Sequence, residues 1–158
     1  MKETLKKTSR FILKFLMWFL IITVAWVIVY RFINPPITPL MGIRWFQAKF
    51  DDDKTNDKIY YEWKDLEDIS PYLPLAVMAS EDQHFLIHYG FDFDAIKTAM
   101  EYNKTHKKKI GASTISQQVA KNVFLFPQRN FLRKGLEAYF TCLIELFWSK
   151  RRIMEVYL

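Results

Sequence analysis

Two acids stand side by side after an apolar run: in PLAVMASEDQHFLIHYGFD, Glu81 and Asp82 follow Ala79 and Ser80 and precede an aromatic, histidine-bearing stretch. A solvated face would account for Asp82 alone. It accounts less well for the pair, because a helix C-terminus disfavours carboxylates through its dipole. A third acid, Glu137, lies in mostly apolar company, three and four residues after Lys134 and Arg133. A carboxylate in half-apolar surroundings has its charged form disfavoured, which moves it toward the proton affinity a general base needs. Lys121, Arg133 and Lys134 would then stabilise an anionic leaving group, provided that their helices converge with those of the acids. The competing reading of Glu137 is a plain helix-surface pair with Arg133 or Lys134, worth about 0.3–0.5 kcal/mol.

Other chemistries fit less well. His84 and His88 stand at i, i+4, but Phe-Leu-Ile lies between them, without the glutamate of a zinc-protease helix and without a third ligand. His88 before Tyr89-Gly90 reads instead as a residue that fixes the turn through its ring nitrogens. GASTI lacks the second glycine of a nucleophile elbow, and no Gly-Lys-Ser/Thr ending of a phosphate-binding loop follows it. The pattern thus favours neither a serine hydrolase nor an ATPase.

The elements that must position these groups are helical. Ser70-Pro71 and the apolar run after it predict a helix to about Phe85, with Val77, Glu81 and Phe85 on one face. FDFDAIKTAMEYN reads as a second helix and HKKKIGAS as a basic loop. The third begins in GASTISQQVAKNVFL, where Thr114 and Gln117 have capping-box spacing and Ile115, Val119 and Val123 form an apolar edge. Thr114, Gln118, Lys121 and Leu125 recur on another face, the first three of them forming a stripe of donors. The last helix is predicted from about Phe131 to the end, with Leu132, Leu136, Phe140, Leu143 and Phe147 on its apolar side. NVFLFPQRNFLRK reads either as core plus loop or as a surface resting on a lipid interface. KIYYEW has the aromatic content of a short strand. Cys142, the single cysteine, falls in an apolar helical pattern and is assigned to the core.

The 158 residues suffice for one modest domain, and part of them is spent on a membrane. FILKFLMWFLIITVAWVIVYRFI carries no charge between Lys14 and Arg31 and is near the length that a bilayer core of about 30 Å demands. It flows into RFINPPITPL without a small-x-small cleavage site, which favours a retained anchor over a removed signal. Lys2, Lys6, Lys7, Arg10 and Lys14 precede it, so the positive-inside rule places the N-terminus in the cytoplasm and everything after Asn34 outside. The organisation is therefore a cytoplasmic N-terminus (1–10), a transmembrane helix (11–33), a proline-bearing linker with a short irregular or strand region (34–70), and a helical domain (71–158). The net charge of +6 is dispersed among apolar residues, which points to an anionic lipid or a diphosphate and away from nucleic acid.

Three segments together resemble the peptidoglycan glycosyltransferases of family 51, and specifically the monofunctional biosynthetic type. EDQHFLIHYGFD is similar to that family's first motif, Glu-Asp-x-x-Phe-x-x-His-x-Gly-x-Asp; GASTISQQVAKNVFL is similar to the second and RKGLEAYFTCLIELFWSKRRIMEVYL to the third. Serine at 116, where the family often has threonine, keeps the hydroxyl. The chain stops at VYL, without the family's later motifs, and is expected to be a fragment, inactive by itself.

The resemblance implies a mainly α fold: a transmembrane helix followed by part of a lysozyme-like glycosyltransferase domain. It implies an enzyme of the inner membrane that polymerises lipid II into glycan strands by inverting transfer, for cell-wall biogenesis and cell shape. Its partners would be lipid II, the growing strand, the bilayer and cell-wall synthesis proteins. Carried over by residue, Glu81 is the general base and Glu137 the second carboxylate of the cleft. Asp82 is an arranging acid, and Lys121, Arg133 and Lys134 contact the diphosphate. Ser113, Thr114, Gln118, Phe85 and His88 line the cleft. No cofactor is required; many members are assisted by a divalent cation such as Mg²⁺, and no dedicated metal cage is visible. Two other readings remain: a membrane-anchored module that binds lipid II or a cell-wall partner without turnover, and a lysozyme-like hydrolase with paired carboxylates.

Overall fold

The computed structural model describes residues 2–50, 61–128 and 130–158. Its contacts divide the chain into two units, one ending at Ile33 and one running Asn34–Leu158. The first is essentially one helix, α1 (Lys2–Phe32), within which Lys6–Phe32 is long and apolar enough to cross a membrane. At about 1.5 Å per residue its 27 residues reach roughly 40 Å, more than a hydrocarbon core of about 30 Å requires. Neither Gly nor Pro interrupts it. Thr23, a polar residue inside the apolar run, donates its hydroxyl to the Phe19 carbonyl at 2.8 Å and so carries no unsatisfied donor into an apolar medium.

The second unit is built from α2 (Pro39–Phe50), a single 3-10 turn (Leu66–Asp68), α3 (Tyr72–Glu81), α4 (Phe93–Thr105), α5 (Ile115–Phe124), α6 (Phe131–Phe147) and α7 (Lys150–Tyr157). No strand occurs among the described residues. Of the expected strand KIYYEW, Lys58–Tyr60 lie outside the described residues, and Tyr61–Trp63 are irregular. The mainly helical fold class holds.

The core is centred on α5, which packs against α6, α7 and α2. The predicted edge Ile115, Val119 and Val123 is buried, with Ala120 and Phe124 beside it. Phe140, Leu143, Ile144 and Trp148 meet it from the α6 side, and Ile153 and Met154 from α7. The Phe124 and Phe140 rings stack with centroids 4.8 Å apart. Each such side chain contributes about 1.5–3 kcal/mol by burial, so a ten-residue α5, too short to persist alone, is held by packing.

Several elements depart from the sequence reading. α3 stops at Glu81 instead of reaching Phe85, because the Asp82 carboxylate bonds partners outside the helix and its backbone leaves helical geometry. The final helix is broken after Phe147: Trp148 is drawn into the core, and Ser149 caps a new helix by accepting the Arg152 N–H at 3.1 Å. The buried face of α6 is Glu137, Phe140, Thr141, Leu143 and Ile144, so of the expected apolar side Phe140 and Leu143 are buried while Leu132 lies exposed. Cys142 is exposed as well, and its assignment to the core is corrected. The region read as linker contains α2, which the prolines before it do not prevent, since Pro39 stands at its first position, where no backbone N–H is needed.

Candidate active site

The loop joining α3 to α4 is organised by Asp82, which is 6% exposed. Its Oδ2 accepts the Ile115 N–H at 2.9 Å, at the positive end of α5, and its two oxygens lie 2.9 and 3.0 Å from His88 Nε2. The His88 Nδ1 accepts the Gly90 N–H at 3.1 Å, which fixes the ring proton on Nε2 and makes it the donor to Asp82. Thr114 caps α5 with the reciprocal Gln117 bonds of a capping box and donates its hydroxyl to the Gly90 carbonyl at 2.7 Å. Gly90 has a φ of +85°, and a Cβ there would stand 2.7 Å from Thr141 Cγ2 on α6. The turn can therefore sit against α6 only with glycine at this place. Phe85 is buried beneath the loop.

Glu81, for which a half-apolar setting was expected, is exposed; the buried acid of the pair is Asp82. The last residue of α3, Glu81 projects into a cleft of about 500 Å³ lined also by His84, Asp92, Ser113, Thr114 and Gln118. Gln118 Nε2 donates to Glu81 Oε2 at 3.0 Å, and Gln118 Oε1 lies 3.5 Å from the Tyr157 hydroxyl. Burial first, and then the charge of Glu81, push the Tyr157 phenol above its ordinary pKa, so it remains a neutral donor. Asp92 caps α4 by accepting the Ala95 N–H at 2.8 Å and lies 2.7 Å from His84 Nδ1. The Ala95 amide, and secondarily His84, hold its carboxyl below the usual carboxylate range against the opposing effect of burial.

A second depression, of about 330 Å³, adjoins the first: Ser113 lines both. Its charged lining is Lys121, Arg133, Lys134, Glu137 and Arg44. Glu137 is 3% exposed; Arg133 Nη1 lies 2.6 Å from its Oε2, and Lys134 bonds its Oε1. The pairs expected along the helix are thus formed, but around a buried acid and not on a solvated face. One carboxylate against Lys121, Arg133, Lys134 and Arg44 leaves the depression strongly positive.

Residues 51–158 match the family model described as "Transglycosylase". The chain belongs to the transglycosylase family. It is 53% identical over 156 residues to a biosynthetic peptidoglycan transglycosylase of Bdellovibrio bacteriovorus, covering 99% of this chain and 60% of that protein. A protein of the same name from Bacteroides thetaiotaomicron is 54% identical over 154 residues, covering 98% of this chain and 61% of the relative. Another from Caulobacter vibrioides is 53% identical over 132 residues, covering 84% and 54%. The chain thus spans about 60% of the length of the first two of these relatives.

Within this transglycosylase chain the residues singled out by sequence divide into groups. Glu81, Ser113 and Gln118 reach the first depression, and Lys121, Arg133, Lys134 and Glu137 the second. Asp82 and Thr114 border the first but are buried, with their polar atoms bonded inward. Phe85 and His88, expected to line the cleft, do not line the first depression; they belong to the loop itself and hold it from within. Sequence reasoning missed Arg44, because its segment was read as linker; the apolar spacing of Leu40, Ile43 and Phe46 was the available signal. As a cage for a divalent cation the donor set does not fit: Asp82 is taken up by Ile115 and His88, and Glu137 by Arg133 and Lys134. No group of three potential ligands converges among the described residues.

Proposed function

We propose that this chain is the membrane-anchored, N-terminal part of a glycosyltransferase that polymerises lipid II, the lipid-linked disaccharide-pentapeptide, into glycan strands at the outer face of the cytoplasmic membrane. The names of the relatives support the reaction class. The observation that carries the mechanism is the pair of adjoining depressions, one presenting the Glu81 carboxylate and the other a cationic lining, with Ser113 common to both.

Glu81 removes the proton from the 4-hydroxyl of the acceptor sugar as that oxygen attacks C1 of the donor. The new C1–O4 bond forms on the face opposite the breaking bond to the diphosphate, so C1 inverts. The electron pair of the broken bond leaves on the lipid diphosphate, where Lys121, Arg133 and Lys134 meet the growing negative charge. Gln118 occupies Glu81 Oε2, and Oε1 takes the proton. Glu137 holds Arg133 and Lys134 in fixed directions, so their charges need no reorganisation as the leaving group departs.

Glu81→Gln keeps the shape and removes the base. In the full-length protein it should lower polymerisation of labelled lipid II about 10²–10⁴-fold while substrate binding persists. Polymerisation at the parental rate would remove Glu81 from the mechanism.

A further inference from the structure

An ionic cluster that this mechanism does not use lies behind the cleft. The Glu145 side chain, 7% exposed, accepts from the Ser116 hydroxyl and from Lys150 Nζ, the latter at 2.8 Å. Lys150 also donates to the His88 carbonyl at 2.7 Å, and its ammonium stands 4.7 Å from the centroid of the Phe85 ring. An ion pair serving only to join α6 to α7 would need neither of these last two contacts. Both belong to the loop between Asp82 and Asp92, which has no helix or strand of its own to hold it.

The tie continues through that loop. His88, held at its carbonyl by Lys150, is bonded through its ring to Asp82, and Asp82 to the first amide of α5. Asp82 is the immediate neighbour of Glu81, whose own carboxylate is met by Gln118 from α5. Lys150 therefore anchors the rear of a chain of contacts whose front sets where Glu81 emerges. Gly90, two residues beyond His88, is seated against Thr141 and Glu145, so the same acid that pairs with Lys150 also forms the floor of the turn.

We propose that Lys150 is a positioning residue for Glu81, acting through the His88 carbonyl and the His88–Asp82–Ile115 bonds. This rests on the reading of Glu81 as the base. Three variants of the full-length protein in detergent test it: Lys150→Met, which keeps the stem and removes the donors; Lys150→Arg, which keeps donors and charge; and Glu145→Gln, which removes the ion pair but leaves the Lys150–His88 bond. The measurements are kcat and KM for lipid II polymerisation, thermal unfolding, and amide hydrogen exchange at Gly90 and Ile115.

Lys150→Met should lower kcat by about ten- to a hundredfold, the range expected for a slightly misplaced catalytic group, with KM nearly unchanged. Exchange at Gly90 and Ile115 should rise at least about tenfold. Lys150→Arg should recover most of both effects, and Glu145→Gln should lower the unfolding temperature while keeping kcat near the parental value. Parental kcat or parental exchange in Lys150→Met overturns the proposal, as does a loss of kcat in Glu145→Gln equal to that in Lys150→Met. If Lys150→Met does not fold, Lys150→Gln, which loses the charge and the reach to the His88 carbonyl but stays polar, takes its place under the same criteria. A parent protein that fails to polymerise lipid II removes the glycosyltransferase reading instead, and exchange at Gly90 and Ile115 then decides whether Lys150 holds the loop.

Discussion

Gly90 is where the loop joining α3 to α4 has least freedom to vary. Its φ of +85° lies in the left-handed region, and an added Cβ would meet Thr141 Cγ2 at 2.7 Å and Glu145 Cγ at 3.0 Å. Thr141 cannot easily retreat, because it is fully buried and its hydroxyl is bonded to the Glu137 carbonyl at 2.7 Å. Gly90→Ala should therefore lose about 1–3 kcal/mol, read as a lower unfolding temperature of the full-length protein; unchanged stability would mean that the turn can move off α6. The reason for this glycine was not legible from the sequence, where it marked only a turn. His88 was legible, since a histidine two residues before the glycine is placed to bond the turn amide, and its Nδ1 does so. The burial of Asp82 and the exposure of Glu81 were not, because adjacent residues in a chain leaving a helix point in directions that only the partner helix decides. That partner is α5, and its first free amide selects Asp82.

Helix ends carry most of what the elements contribute. α4, α5, α6 and α7 each begin with a side-chain cap, supplied by Asp92, Thr114, Asn130 and Ser149. The Thr114–Gln117 box was readable from spacing alone, whereas the α6–α7 break was not, since Trp148 continues an apolar pattern and only its burial beside Phe124 shows why the helix ends. α7 opens with Lys150, Arg151 and Arg152, cations at the positive end of a helix, a placement that costs about 0.3–1 kcal/mol each when exposed. All are tied into the fold: Lys150 to Glu145 and His88, Arg151 to Glu67, and Arg152 to Glu155 and Asn34. The Asp92 cap gives a pH dependence. Its carboxyl titrates below the usual range because it accepts the Ala95 amide and faces His84. The unfolded chain then binds the proton first, so the stabilisation is fully present above about pH 4 and is lost as pH falls through the lower folded value. Asp92→Asn still caps but does not titrate, so the stability difference between parent and variant should shrink on acidification below about pH 4. A difference constant from pH 6 to pH 3 would show that the carboxylate contributes only as a cap.

At the scale of the molecule, a glycosyltransferase acting on a lipid-linked substrate needs its cleft on the side of the membrane where that substrate is presented. The composition of α1 made a candidate membrane span legible, because length and apolarity are what a spanning helix needs. Orientation rests on a different quantity, the excess of Lys2, Lys6, Lys7, Arg10 and Lys14 before the span over Arg31 at its end. Cys142, the single cysteine of these 158 residues, lies exposed on α6 and supplies a reporter already in place. A membrane-impermeant maleimide applied to spheroplasts carrying these 158 residues alone should label Cys142 without permeabilisation, and Cys142→Ala should abolish the signal. In that Cys142→Ala background, a cysteine placed at exposed Thr4, before the apolar span begins at Lys6, should react only after the membrane is opened. The two sites must answer oppositely, since one helix separates them. Labelling of the Thr4→Cys protein in intact spheroplasts would reverse the orientation, put Glu81 and the cationic depression on the cytoplasmic side, and remove the proposed access to substrate at the outer face.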